Sequence, residues 1–87
     1  MILTDIQKTQ LKVAKLFAKQ RGFSIVFRTS KKHPNQFTFF VYNKDVSNRY
    51  LCGFDGSFDA KEYNFEKCAN QAVAYINNYI DHRNASI

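Results

Sequence analysis

Four lysines are spaced so that they lie along one side of a helix. Lys8, Lys12, Lys15 and Lys19 follow one another at intervals of four, three and four residues, and at about 100° per residue they fall within a narrow arc. Like charges at this spacing destabilise a helix by roughly 0.2 to 0.5 kcal/mol per pair, and no acidic residue lies in that stretch. A row of ammonium groups binds phosphates or carboxylates, so it predicts an anionic partner; an ordinary solvated face is the alternative.

Further basic residues lie in the same half of the chain. Lys31, Lys32 and His33 precede a Pro-Asn pair that suits a turn, which predicts an exposed basic turn. Residues 1–49 carry ten Lys and Arg against two acids, a net charge of +8, whereas residues 50–87 carry three against five, a net charge of −2. The positive potential therefore belongs to the N-terminal half, where it favours nucleic acid or an acidic protein surface.

The lysine row belongs to a first helix predicted over residues 5–21. Thr4 followed by Gln7 is a capping-box pattern, and Gly22 supplies the left-handed residue that ends the helix. The apolar residues define its predicted buried face: Ile6, Val13 and Phe17 on one line, with Leu16 on one flank and Leu11, Ala14 and Ala18 on the other.

Three strands are predicted at about residues 23–30, 37–43 and 49–54, because these segments are rich in β-branched and aromatic residues and alternate in polarity. A polar turn is predicted at 43–48. In so small an antiparallel sheet usually one face alone is covered, so one aromatic row is expected to be exposed as a platform for bases or for a partner protein. The residues of this platform are Phe40, Tyr42 and Tyr50. Core packing is the alternative role for these rings.

A second helix is predicted from residue 65 to about residue 82, with Asn64 as its cap and a frayed tail over 84–87. The segment 55–57 interrupts the strand pattern and is predicted to lie outside the sheet. The apolar residues that repeat at helical spacing are Phe65, Cys68, Ala69, Ala72, Val73, Ile76, Tyr79 and Ile80. The predicted fold is α+β in one domain, a three-stranded antiparallel β-meander packed against two helices in the order α-β-β-β-α.

The residue types that perform catalysis have no evident grouping. The sequence around His33 and His82 shows no evident nucleophile–base motif, and the acids between residues 55 and 66 match no metal-binding loop. We therefore predict a non-enzymatic protein without metal or cofactor. Cys52 and Cys68 are predicted to be buried thiols of a cytoplasmic protein, with a disulfide in a secreted domain as the alternative. No signal-peptide pattern or membrane span is found, so no membrane association is expected.

Three local features resemble the double-stranded-RNA-binding domain. Phe23, His33 and Phe37 are spaced like that family's first-strand aromatic, turn histidine and second-strand aromatic, and residues 66–74 resemble the start of its second helix. In that family, lysines at this helix start bind phosphates across a major groove, while helix one and the loop between the first two strands contact minor grooves. The resemblance implies the α-β-β-β-α fold and a phosphate contact for Lys67.

The function predicted from these observations is that of a small basic binding module that contacts nucleic acid. The residues expected to make the contact are Lys8, Lys12, Lys15, Lys19, Lys31, Lys32, His33 and Lys67. One alternative is a protein-binding inhibitor or adaptor of phage or mobile-element type, which blocks a host nuclease or nucleic-acid-binding complex. A third is a homodimer formed through the exposed sheet face or an edge strand.

Overall fold

The computed structural model describes residues 3–44 and 49–85. Its elements are α1 (Asp5–Gln20), β1 (Phe23–Thr29), β2 (Gln36–Asn43), β3 (Arg49–Ser57) and α2 (Phe65–Ala85). The strands form one antiparallel sheet in the order β1-β2-β3. The predicted α+β class and α-β-β-β-α order are confirmed. The predicted polar turn and C-terminal tail lie partly outside the described residues, which exclude 45–48 and 86–87.

The capping box at the start of α1 forms as the sequence predicts. The hydroxyl oxygen of Thr4 accepts a hydrogen bond from the N–H of Gln7 at 3.1 Å, and the Gln7 side-chain oxygen accepts one from the N–H of Thr4 at 2.9 Å. At the other end, Gly22 has a φ of 80°, a conformation that glycine adopts without steric cost. The chain reverses there within two residues, so α1 packs back along β1.

The two faces of the sheet differ as the alternation predicts. On β2, Phe37, Phe39 and Val41 are buried beneath the helices, while Thr38, Phe40 and Tyr42 on the opposite, uncovered face are half-buried. A β-bulge between β2 and β3 shifts the register, since Val41 pairs with Cys52 and Tyr42 pairs with Tyr50. The extra residue, Leu51, lets β3 present Tyr50 on the same uncovered face as Tyr42.

The core lies between the sheet and α2. Rings from four different parts of the chain pack there with centroids 4.9 to 6.4 Å apart, and they belong to Phe27, Phe37, Phe39, Phe58 and Phe65. The helix begins at the predicted cap, because the Asn64 side-chain oxygen accepts a hydrogen bond from the N–H of Lys67 at 2.9 Å. Its predicted apolar stripe is buried or half-buried throughout. Such burial, and not helix propensity, supplies most of a helix's stability in a protein.

The buried face of α1 is one flank of the predicted face and not its centre. The residues that face the core are Ala14 and Ala18, with Leu11 and Phe17 half-buried. Three residues of the predicted face are largely exposed: Ile6 (72%), Val13 (61%) and Leu16 (51%). Two alanines one turn apart let the helix approach both α2 and β1 closely, and this turns the larger side chains outward.

The third strand is three residues longer than predicted and includes Gly56. A Cβ atom built there would lie 2.6 Å from Phe37 Cζ and 2.7 Å from Cys68 Sγ, and closer still to the carbonyl oxygen of Tyr63. Glycine is therefore required because α2 and the segment before it approach the strand closely, and not because the chain turns. The remaining predicted boundaries agree with the structure or differ from it by one to three residues.

Candidate nucleic-acid interface

The four lysines of α1 lie on a flank that contacts neither of the helix's neighbours. The side of α1 that faces α2 is the wall of a groove formed by Thr9, Gln10, Val13 and Ala14. At about 100° per residue, the centre of the lysine row lies roughly 160° around the helix from that wall. Every lysine in the row is exposed. Because α1 packs on β1, which is an edge strand, the row follows the free edge of the sheet.

The basic turn extends this row. A helix of 16 residues is about 24 Å long and a strand of seven is about 23 Å long, so the start of α1 is level with the end of β1, where the turn begins. Hydrogen bonds hold the turn, from the N–H of Gln36 to the carbonyl of His33 at 3.0 Å and from the N–H of Phe58 to that of Asn35 at 2.8 Å. Lys31, Lys32 and His33 are all exposed.

We call the combined surface the basic edge, and its residues are Lys8, Lys12, Lys15, Lys19, Lys31 and Lys32. Asp5 is the single acid in α1, so nothing within the helix offsets the row's charge beyond its first turn. The three neighbouring pairs in the row cost the helix about 0.6 to 1.5 kcal/mol together. The capping box and the packing of Ala14 and Ala18 hold the helix in place despite this repulsion.

Lys67 does not join the basic edge. It lies in the first turn of α2 and is exposed, but the side of α2 that faces α1 is formed by Glu66, Ala69, Asn70 and Val73. Lys67 is roughly 110° around the helix from the centre of that side. It therefore points away from α1, while the lysine row points away from α2. The sequence offers no signal of this separation, because it depends on how the two helices pack.

The predicted aromatic platform is one cluster on the uncovered face. The ring centroids of Phe40, Tyr42 and Tyr50 are 5.8 to 6.5 Å apart, and Tyr50 is 54% exposed. Beside the cluster lies an open cleft of about 660 Å³. Its walls include Arg28 from β1 and Asp55 from β3. The sequence predicts the rings, but the charged pair at their border depends on strand register and is found only in the structure.

The exposed apolar residues of α1 are a second feature that the sequence does not predict. Leu16 borders the lysine row, about 40° around the helix from Lys12, and Val13 lies further round at the groove with α2. A helix in water normally exposes polar residues on such a flank. The apolar row is therefore a surface that a partner can cover.

The groups with shifted acidity lie on the side of the sheet that faces α2. Burial raises the pKa of the Cys68 thiol, and the nearby Asp55 carboxylate raises it further. Burial also raises the pKa of the Cys52 thiol, although a hydrogen bond with Tyr75 lowers it in part. Cys68 is buried as predicted, Cys52 is half-buried, and both are free thiols. Thiols that stay protonated are poor nucleophiles and poor metal ligands.

The part of the chain that the structure describes has neither a cluster of metal ligands nor a helix suited to crossing a membrane. No three His, Cys, Asp or Glu side chains in residues 3–44 and 49–85 are grouped so that they can hold a metal ion. Neither helix, over its described length, combines the extent and apolar character that crossing a membrane requires. Comparisons of the chain with protein-family models, with curated proteins and with solved structures found no match.

Proposed function

We propose that this protein binds nucleic acid through the basic edge. The observation that carries the proposal is that six lysines, separated by up to 24 positions in the sequence, are all exposed, and that the four in α1 share one flank of the helix. Four of them lie on one helix, so their backbone positions are fixed while the flexible side chains can adjust to a partner. Positive charges that contact phosphates supply the sequence-independent part of nucleic-acid affinity.

The dimensions suit a duplex. From Lys8 to Lys19 the row is about 16 Å long, which corresponds to about five phosphates along one strand of a B-form duplex at 3.4 Å each. The turn with Lys31, Lys32 and His33 prolongs the row at one end. The resemblance to the double-stranded-RNA-binding domain makes duplex RNA the first probe, with helix one and this turn as contacts. The residues of the basic edge are all lysines, and none is an Asn or Gln that could make paired hydrogen bonds to the edge of a base. Binding is therefore expected to be independent of nucleotide sequence.

The test is fluorescence anisotropy of labelled duplex RNA, duplex DNA and single strands, at several salt concentrations. Six phosphate contacts predict a slope of about −5 in a plot of log affinity against log salt for B-form DNA. Changing Lys8, Lys12, Lys15 and Lys19 to Gln is expected to reduce that slope to about −2 and to weaken binding in low salt.

A matched control has the same net charge with the basic edge intact. It carries Gln in place of four cations elsewhere on the surface, namely Lys44, Arg49, Lys61 and Arg83, all of which are exposed. This control is expected to bind nearly as the wild type does. Equal weakening in both variants would mean that net charge alone produces the affinity, and the basic edge would then not be the site.

The second candidate function is binding to an acidic protein, as in an inhibitor or adaptor that blocks a host nuclease or nucleic-acid-binding complex. Exposed Ile6, Val13 and Leu16 favour it, because apolar side chains beside charged ones are typical of a protein interface and add nothing to phosphate contacts. Absence of nucleic-acid binding at low salt would leave this candidate. Its measurement is retention of a single host protein by the immobilised wild type and its loss when those three residues are changed to Ser.

A further inference from the structure

The uncovered sheet face carries opposite charges on its two edge strands at the same level. In the sheet register, Arg28 on β1 pairs with Thr38 on β2, and Thr38 pairs with Asp55 on β3. The three residues therefore form a row straight across the sheet. The Thr38 hydroxyl donates a hydrogen bond to Asp55, which fixes the carboxylate in this row. Arg28 and Asp55 are both exposed and are two strands apart, about 10 Å at the usual strand spacing.

This row is complementary to itself. Consider a two-fold axis that runs parallel to β2 and passes above the uncovered face. It places β1 of one copy opposite β3 of the other, and residues paired across one sheet stay at the same height along the strands in both copies. Arg28 of each copy then meets Asp55 of the other, and two reciprocal ion pairs form. The strand directions of two packed sheets usually differ by up to about 30°. The long side chain of Arg28 can still reach Asp55 of the other copy at such an angle.

The same axis superimposes the apolar part of the face on itself. Phe40 and Tyr42 lie on the central strand, so each ring faces its own counterpart in the second copy. Val26, which pairs with Phe40, faces Gly53 of the other copy, since Gly53 also pairs with Phe40. A Cβ at Gly53 would lie 3.2 Å from the Tyr50 hydroxyl oxygen, so the Tyr50 side chain lies across this glycine and adds apolar contact area.

We propose that two copies of this chain pair through the uncovered sheet face. Three strands of about seven residues give a flat area of about 330 Å² per copy, below the roughly 800 Å² per partner of a standard interface. The dimer is therefore weak and forms at high protein concentration. It leaves both basic edges accessible, so it goes beyond the proposed nucleic-acid binding and does not depend on it.

Charge reversal tests the pairing by sedimentation equilibrium over a wide range of concentrations. Arg28→Asp or Asp55→Arg opposes two pairs of like charges in the dimer, so each is expected to weaken self-association by about tenfold or more. The double variant restores both pairs with reversed polarity and is expected to associate as the wild type does. An equimolar mixture of the two single variants is expected to form a mixed dimer, because each charge then faces an opposite charge on the other chain. Association in the mixture but not in either variant alone would show that the contacts are between chains.

Two controls carry the same charge changes on the outer surface of α2, namely Lys67→Asp and Asp81→Arg, and both are expected to self-associate as the wild type does. Circular dichroism confirms that each variant is folded. A wild-type protein that is monomeric at every concentration would overturn the proposal, and so would single variants that associate normally or a mixture that gains nothing. The variant with Gln at the four α1 lysines is expected to pair normally, so failure of nucleic-acid binding and failure of pairing are separate results.

Discussion

Replacing Gly56 with Ala is expected to destabilise the protein by about 2 kcal/mol. Overpacking a close-packed site costs about 1 to 3 kcal/mol. The new methyl group also displaces the carbonyl of Tyr63, which accepts a hydrogen bond from the N–H of Ser57 at 2.9 Å, and weakening that bond costs about 1 kcal/mol. Against this, Ala in a strand is favoured over Gly by about 0.5 to 1 kcal/mol. For a protein of this size, the net change lowers the unfolding midpoint by about 8 to 16 °C.

Gly53 provides the matched control in the same strand. A Cβ there meets the side chains of Tyr50, Thr38 and Phe40 at 3.2 to 3.5 Å, and side chains on the uncovered face move aside more readily than backbone does. Neither glycine has a left-handed backbone, since Gly22 is the one glycine with positive φ. Gly53→Ala is therefore expected to change stability by less than about 0.5 kcal/mol. Urea unfolding followed by circular dichroism measures both. Equal midpoints for the two variants would refute the close approach of Tyr63, Phe37 and Cys68 to Gly56.

Two further predictions concern the helix cap and the buried thiols. Thr4→Ala removes the hydroxyl that accepts the Gln7 N–H and is expected to cost about 1 kcal/mol in thermal unfolding, whereas Thr4→Ser retains stability; equal losses would show that the cap contributes nothing. The raised pKa values of Cys52, Cys68 and Tyr75 mean that the native chain holds these protons to higher pH than the unfolded chain does. Their contribution to stability is thus complete below about pH 8.5 and is lost as the pH rises further. Urea unfolding at several pH values is expected to show that decline, with a shallower slope for Cys52→Ser; a stability that rises across the same range would contradict it.

The sequence predicts the fold where local rules decide it. The Thr4–Gln7 box, Gly22 and Asn64 mark helix ends because their hydrogen bonds or backbone angles are local. The alternation along β2 gives the covered and uncovered faces, because one face of the strand must pack. Gly56 is the exception, because a glycine in a strand resembles a turn residue until the helix that approaches it is known.

The candidate sites were less predictable because they depend on packing between elements. The predicted apolar face of α1 is centred on its large side chains, but Ala14 and Ala18 take the buried position where the helix packs against α2 and β1. That rotation exposes Val13 and fixes the direction of the lysine row. The alignment of Arg28 with Asp55 depends on the strand register, which includes the bulge at Leu51. Amino-acid composition does not predict that register.

The position of the lysine row beside β1 has a consequence for how the folded protein behaves in concentrated solution. A three-stranded open sheet has two free edges, and joining β3 of one molecule to β1 of the next would produce an endless fibre, because that contact never closes. In such a fibre the lysine rows of successive molecules would lie about 14 Å apart, because each molecule adds three strands at about 4.8 Å each. At low ionic strength, where the Debye length exceeds this distance, the repulsion between rows opposes polymerisation, and salt screens it. The charges that suit a phosphate backbone therefore also help to keep the native sheet from growing.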